Sequence, residues 1–105
     1  KSVELCTETY ALTKKYPRDE LFALTSQTRR AVTSISANIA EGYGRNSRKE
    51  FAHFLNIARG SLAELETLLI IAKNLSYCTL EDCSTIEKLA NEVGKMSFAL
   101  RETLR

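Results

Sequence analysis

The one imidazole of this 105-residue chain is His53, and at helical spacing around it stand Lys49, Glu50, Asn56 and Ile57. An imidazole works as a general base or as a nucleophile's partner only when other polar groups position it, and no such constellation is spaced around His53. Glu64 and Glu66 lie two residues apart on a helix, so their carboxylates point in different directions and cannot flank one reacting atom. Cys6, Cys78 and Cys83 cannot all pair, form no CxxC motif and have too little histidine to complete a zinc site; buried free thiols in a reducing compartment are expected. Gly42-Tyr43-Gly44 follows a helix instead of a strand and lacks the Lys-Ser/Thr ending of a phosphate loop. The chemistry that remains is electrostatic: Arg45, Arg48 and Lys49 cluster beside Tyr43 where a helix begins, and free amides and the helix dipole there also favour phosphate. No catalytic residue, metal ligand or cofactor is expected.

The charge distribution supports that emphasis. The net charge is only +2, yet residues 27–59 hold six basic groups against two acidic ones, whereas residues 60–105 hold five basic against seven acidic. Positive charge is therefore concentrated around one turn, with Arg29, and Lys14, Lys15 and Arg18 toward the opposite pole, extending it. With 44% hydrophobic residues, a single Pro and four Gly, the composition is that of one folded domain. Leu68-Leu69-Ile70-Ile71-Ala72 is far shorter than the roughly 20 residues a membrane span needs, and no signal-peptide pattern opens the chain. A cytoplasmic protein is expected.

The elements that position these groups are four helices, at about 1–16, 18–43, 47–75 and 79–105. The first carries Val3, Cys6, Tyr10 and Leu12 or Thr13 at a loose three-to-four spacing; Pro17 ends it and fits the first turn of the second, where Asp19 and Glu20 suit the positive end of the dipole. The second helix carries Leu21, Leu24 or Thr25, Thr28, Val32, Ile35 and Ile39 on one stripe, and Gly42 and Gly44 offer the left-handed conformations with which helices stop. Ser47-Arg48-Lys49-Glu50 matches a capping box, and Phe51, Leu55, Ala58, Leu62, Leu65, Leu69 and Ala72 then give the strongest helical periodicity of the chain. Its late part is apolar on nearly all sides, which asks for cover from more than one direction, including a second copy. Thr79-Leu80-Glu81-Asp82 is a weaker capping signal, and the helix it opens carries Leu80, Cys83, Ile86, Leu89 or Ala90, Val93, Ser97, Leu100 and Leu104 at bundle spacing. Short turns make sequential helices neighbours, so the expected fold is all-α, an antiparallel up-down-up-down four-helix bundle.

A polar stripe crosses that packing. Gln27, Ala31, Ser34, Asn38 and Glu41 recur at steps of four and three on helix two, with Arg30 a turn before Ser34. If the turn is centred near residues 44–47, residues facing each other across the hairpin have numbers summing to roughly 90. That register places Arg30 near Ser61 and Glu64, places Asn38 near His53, and makes Gly60 the point of close backbone approach. An Arg30–Glu64 ion pair is expected, the competing reading being that both are solvated; such a pair sets register more than it adds stability. Arg30, Asn38, Glu41, His53 and Glu64 are thus read as structural polar groups.

Tyr16-Pro17 with Glu20, Leu24-Thr25-Ser26-Gln27, Arg30-Ala31, Ser34-Ile35, Asn38-Ile39-Ala40-Glu41-Gly42-Tyr43-Gly44-Arg45, Phe54-Leu55 and Ala58-Arg59-Gly60-Ser61-Leu62 with Glu64 together resemble the 23S rRNA intervening-sequence protein family of four-helix-bundle proteins. Family members usually begin one or two turns upstream of Lys1 and carry Phe where Tyr16 stands, which suggests a trimmed first helix. The resemblance implies a homopentamer around a central channel, encoded in some bacteria within insertions in the large ribosomal RNA gene, and no enzyme activity. A related branch, the accessory variability proteins of diversity-generating retroelements, binds a reverse transcriptase and nucleic acid through basic surface. Two functions follow as expectations: an RNA- or DNA-binding oligomer using Arg29, Tyr43, Arg45, Arg48 and Lys49, or a scaffold that captures a polypeptide such as a reverse transcriptase without touching nucleic acid.

Overall fold

The computed structural model describes residues 1–104. Among these the chain forms α1 (Ser2–Thr13), a 3-10 turn (Arg18–Glu20), α2 (Leu24–Tyr43), α3 (Arg48–Asn74) and α4 (Leu80–Thr103), with no strand. α1 packs on α2 and α4, α3 packs on α2 and α4, and the α2–α3 contact is the most extensive. The four helices thus enclose one core, built around Leu5, Val32, Ile35, Leu65, Leu69, Cys83 and Ile86, each at most 2% exposed.

The faces that enter this core follow the helical periodicity in α2, α3 and α4 except at Leu21 and Leu80, which lie near helix starts and are exposed, and α1 is turned partly from its expected face. Its Leu12 and Thr13 are buried as expected, together with Leu5 and Thr9, while Val3 is 70% exposed and Tyr10 lies at the surface. Thr9 and Thr28 can occupy the interior because each hydroxyl donates to a carbonyl one turn back, Leu5 O at 2.8 Å and Leu24 O at 2.7 Å, so neither hydroxyl is stranded. On α3 the late run divides: Leu68 and Leu69 are buried, whereas Ile70 and Ile71 remain partly open on the protomer.

Element boundaries depart from expectation where local hydrogen bonds override propensity. Pro17 does not open a continuous second helix. Its backbone is extended (ψ 143), the short turn follows, and Ala23 (φ −123, ψ −102) breaks the chain again before α2. Glu20 serves this break by accepting hydrogen bonds from the Tyr77 hydroxyl at 2.6 Å and the Leu24 amide at 3.4 Å. The neighbouring Tyr16 and Tyr77 rings lie 5.7 Å apart, so the segment between α1 and α2 is tied to the α3–α4 turn.

The caps also redistribute. Ser47 accepts from the Glu50 amide at 3.2 Å, but the reciprocal bond from the Glu50 carboxylate does not form. The shorter Asp82 completes the full box that Glu50 leaves half made: its amide donates to Thr79 Oγ1 at 3.0 Å and its carboxylate accepts from the Thr79 amide at 3.1 Å. Gly42 and Gly44 are not left-handed: no glycine has positive φ. Ser76 does, at φ 62, and its amide donates to Lys73 O while Tyr77 N donates to Ala72 O, which closes α3 in a Schellman motif with serine where glycine is usual.

Two outcomes are expected. Ser76→Gly relieves a left-handed side-chain clash and should raise stability by about 0.5–1 kcal/mol in urea titration, because the relief exceeds glycine's greater unfolded-state entropy. Asp82 has its pKa lowered from 3.8, first by the Thr79 amide and then by Lys15. A depressed folded-state value means that its stabilisation is present above the unfolded pKa and lost as pH falls through the lower folded one. The melting-temperature advantage over Asp82→Ala should therefore be constant near neutrality and shrink as pH falls below about 4 and through the lower folded-state value.

Candidate nucleic-acid interface

The α2–α3 turn is shaped by the way α3 begins. Gly42 lies inside α2, and a Cβ built there would sit 2.8 Å from Phe51 Cδ1 and 3.2 Å from Phe54 Cβ, so the absence of a side chain lets the first turns of α3 close over the end of α2. Phe51 then stacks against Tyr43 at 5.0 Å, and Tyr43 keeps 66% of its surface in solvent. The result is an exposed aromatic face braced from behind. Arg48 and Lys49, on the first turn of α3, are exposed and make no ion pair among the described residues. An open groove beside them is lined by Asn46, Ser47, Lys49, Glu50 and His53. An extended aromatic next to unpaired cations at a helix N-terminus can stack a base and neutralise a phosphate.

The five residues expected to bind nucleic acid are not one cluster. Tyr43, Arg48 and Lys49 are together and free, and Arg45 is with them but already engaged, 3.0 Å from the Glu41 carboxylate and with its guanidinium 5.2 Å from the Phe54 ring centre. Arg29 lies some 21 Å back along α2. There its Nε donates to Thr13 Oγ1 at 2.9 Å and its guanidinium covers the Tyr10 ring at 4.8 Å, which joins α1 to α2. Phe51 and Phe54, which hold Tyr43 and Arg45 in place, were not among the expected site residues; the signal for them was Gly42, read as a helix stop.

The polar stripe forms a different set of bonds from those expected. Ser34 Oγ lies 2.9 Å from Ser61 Oγ, so facing residues sum to 95 instead of roughly 90. This register sets Arg30 level with Leu65 and so beside Glu64 in height, but both side chains face solvent. Neither makes an ion pair or side-chain hydrogen bond among the described residues, so the Arg30–Glu64 pair does not form. Gly60 likewise faces open space, and the close approach falls at Gly42. Asn38 does not meet His53: its amide donates to Ser34 O at 2.8 Å and to Ser34 Oγ at 3.0 Å. Glu41 pairs along its own helix with Arg45, and His53 is exposed with its ring at 5.3 Å from Phe54. Among the described residues no group of three or more His, Cys, Asp or Glu is placed to hold a metal, and no helix is long and apolar enough to cross a membrane.

Ser34 Oγ accepts from the Asn38 amide and also shares a hydrogen bond with Ser61 Oγ in which either hydroxyl can donate. Ser34→Ala should cost about 0.5–1.5 kcal/mol, and a Ser34→Ala/Ser61→Ala double-mutant cycle in urea should show a coupling of similar sign. Additive losses would mean that the two hydroxyls do not interact.

A family model described as 23S rRNA-intervening sequence protein matches residues 1–99. A solved structure from Bacteroides thetaiotaomicron VPI-5482, described as a protein with unknown function from the S23 ribosomal protein family, superposes with a TM-score of 0.87 at 30% identity, over 95% of this chain and 94% of that one. No curated protein matches. With nearly its whole length covered by both the family model and this solved relative, the chain belongs to the 23S rRNA-intervening sequence protein family.

Proposed function

We propose that this chain is a non-enzymatic, cytoplasmic nucleic-acid-binding protein that works as a homo-oligomer, a pentamer by its resemblance, of antiparallel up-down-up-down bundles. RNA is the preferred ligand. The observation that carries the reading is the pairing of a 66% exposed, Phe51-braced Tyr43 with the free cations Arg48 and Lys49 at the start of α3. Residues that serve only the fold would bury that ring or pair those charges. The opposed order of contacts across helix pairs supports the bundle topology: Lys1 meets Glu92 and Lys15 meets Asp82 between α1 and α4, while Asn56 meets Arg101 and Lys73 meets Glu87 between α3 and α4. Self-association is supported by large apolar side chains that the protomer leaves uncovered, Phe22 at 93%, Leu80 at 76% and Val3 at 70% exposure. Repetition of one modest cationic turn around an oligomer multiplies its field.

Arg48 and Lys49 carry the phosphate contacts, Tyr43 carries base stacking, and Arg45 supports the surface while held by Glu41. Arg29 belongs to the α1–α2 joint.

The test is fluorescence anisotropy with a structured RNA between about 50 and 200 mM salt. Binding should weaken steeply over that range, and Arg48→Ala with Lys49→Ala should reduce the slope of log K on log salt by about 0.7–0.9 for each lost phosphate contact. Tyr43→Ala should weaken binding by about 1–3 kcal/mol with the slope unchanged. Light scattering should give a multiple of the 11.8 kDa protomer mass. Salt-tolerant capture of a polypeptide with no RNA binding at low salt would replace this reading with the scaffold.

A further inference from the structure

Cys78 and Cys83 are close neighbours in space. Both are buried, at 8% and 0% exposure, and their Sγ atoms lie 2.8 Å apart. That is inside the about 3.5–4.0 Å at which even carbon atoms rest against each other, and sulfur is the larger atom. The backbone enforces the approach. Thr79 is the N-cap of α4 and forms the reciprocal box with Asp82, which places Cys78 just before the cap and Cys83 one turn inside the helix. These are the two positions that pack against each other as a hydrophobic staple at a helix start, and here both carry thiols. The buried Tyr16 ring stands beside them, and burial first and the neighbouring thiols second hold its hydroxyl in the protonated form.

We propose that Cys78 and Cys83 are a redox-active dithiol that closes to an intramolecular disulfide and converts the staple of α4 into a covalent one. The oxidant class is a small peroxide. Cys78, the more exposed of the two, attacks one peroxide oxygen; the O–O bond breaks, Cys78 becomes a sulfenic acid and one water leaves. Cys83 then attacks the Cys78 sulfur, the S–S bond forms, and the hydroxyl departs with the Cys83 proton as a second water. Two thiols and one hydrogen peroxide thus give one disulfide and two waters, and a dithiol reductant reverses the change. Closing the bond needs the sulfurs to move by less than about 1 Å toward the usual length of about 2.05 Å. Burial holds the Cys83 thiol up at about 12, so at neutral pH it is protonated and the pair closes slowly, faster as pH rises. Cys6, on α1 and only half-buried, has no thiol partner among the described residues.

The intact wild-type chain tests this directly. After hydrogen peroxide treatment, quenching, denaturation and alkylation with iodoacetamide, the intact mass should show one carbamidomethyl group, on Cys6, where the reduced protein shows three. Cys78→Ala should take two groups before and after treatment, whereas Cys83→Ala should take two before and only one after, with added oxygen retained on Cys78 because no thiol resolves its sulfenic acid. Oxidised wild type should melt at least about 4 °C above the reduced form, a shift absent from Cys83→Ala. Three labels after oxidation, a sulfinic acid on Cys78 in place of the crosslink, loss of labels into dimers that vanish in Cys6→Ala, or a bond that leaves the melting temperature unchanged or lower would each overturn the proposal.

Discussion

The close packing of α2 on α3 is the constraint from which the rest of the surface follows. At one end it depends on Gly42, where the absence of a Cβ admits the Phe51 and Phe54 side chains, and along its length on the Ser34–Ser61 hydroxyl contact. Moving the register by one residue would rotate the α3 side chains by about 100°, enough to take Leu62 or Leu65 out of the core. Because Phe51 is drawn back over Gly42, Tyr43 is pushed outward and the first turn of α3 projects past α2 with Arg48 and Lys49 on it. The exposed ring and the free cations are consequences of how the hairpin closes, and the proposed binding surface inherits its rigidity from that closure.

A second set of contacts governs the opposite end. The Tyr77–Glu20 hydrogen bond and the Tyr16–Tyr77 ring contact connect the α1–α2 segment to the α3–α4 turn, and the Thr79–Asp82 box fixes the start of α4 beside them. The ion pairs on the bundle sides are of another kind. Lys1–Glu92, Lys15–Asp82 and Lys73–Glu87 are solvent-screened, and such pairs contribute at most a fraction of a kcal/mol each. Stability resides in the apolar core and the caps.

Much of this was legible in the sequence, and the failures have common causes. The periodicity of α3 and α4 named the buried positions from Leu55 to Ala72 and from Cys83 to Ser97, because apolar side chains at steps of three and four have one low-energy arrangement. On α1 the expected Leu12 and Thr13 are buried but Val3 and Tyr10 are not, because the core position Thr9 is a polar side chain satisfied by its own backbone, which no hydrophobicity pattern marks. The Arg30–Glu64 pair fails on facing: the observed register sets the two nearly level, yet both side chains turn to solvent, and spacing along two helices fixes height without fixing which way an exposed polar side chain points. Gly42 was seen as important for the wrong reason, its conformational freedom instead of its small volume. Proximity of Cys78 and Cys83 was implicit in the Thr79 cap, but only the cap geometry shows that their side chains meet.

The carboxylates of α4 that hold lysines of α1 and α3 lead to a last point. Glu92, Asp82 and Glu87 offset those lysines along the flank, while Arg48 and Lys49 at the α2–α3 turn make no ion pair among the described residues. On the proposed function, that local excess of positive charge would help to set the orientation in which a polyanion arrives in dilute salt.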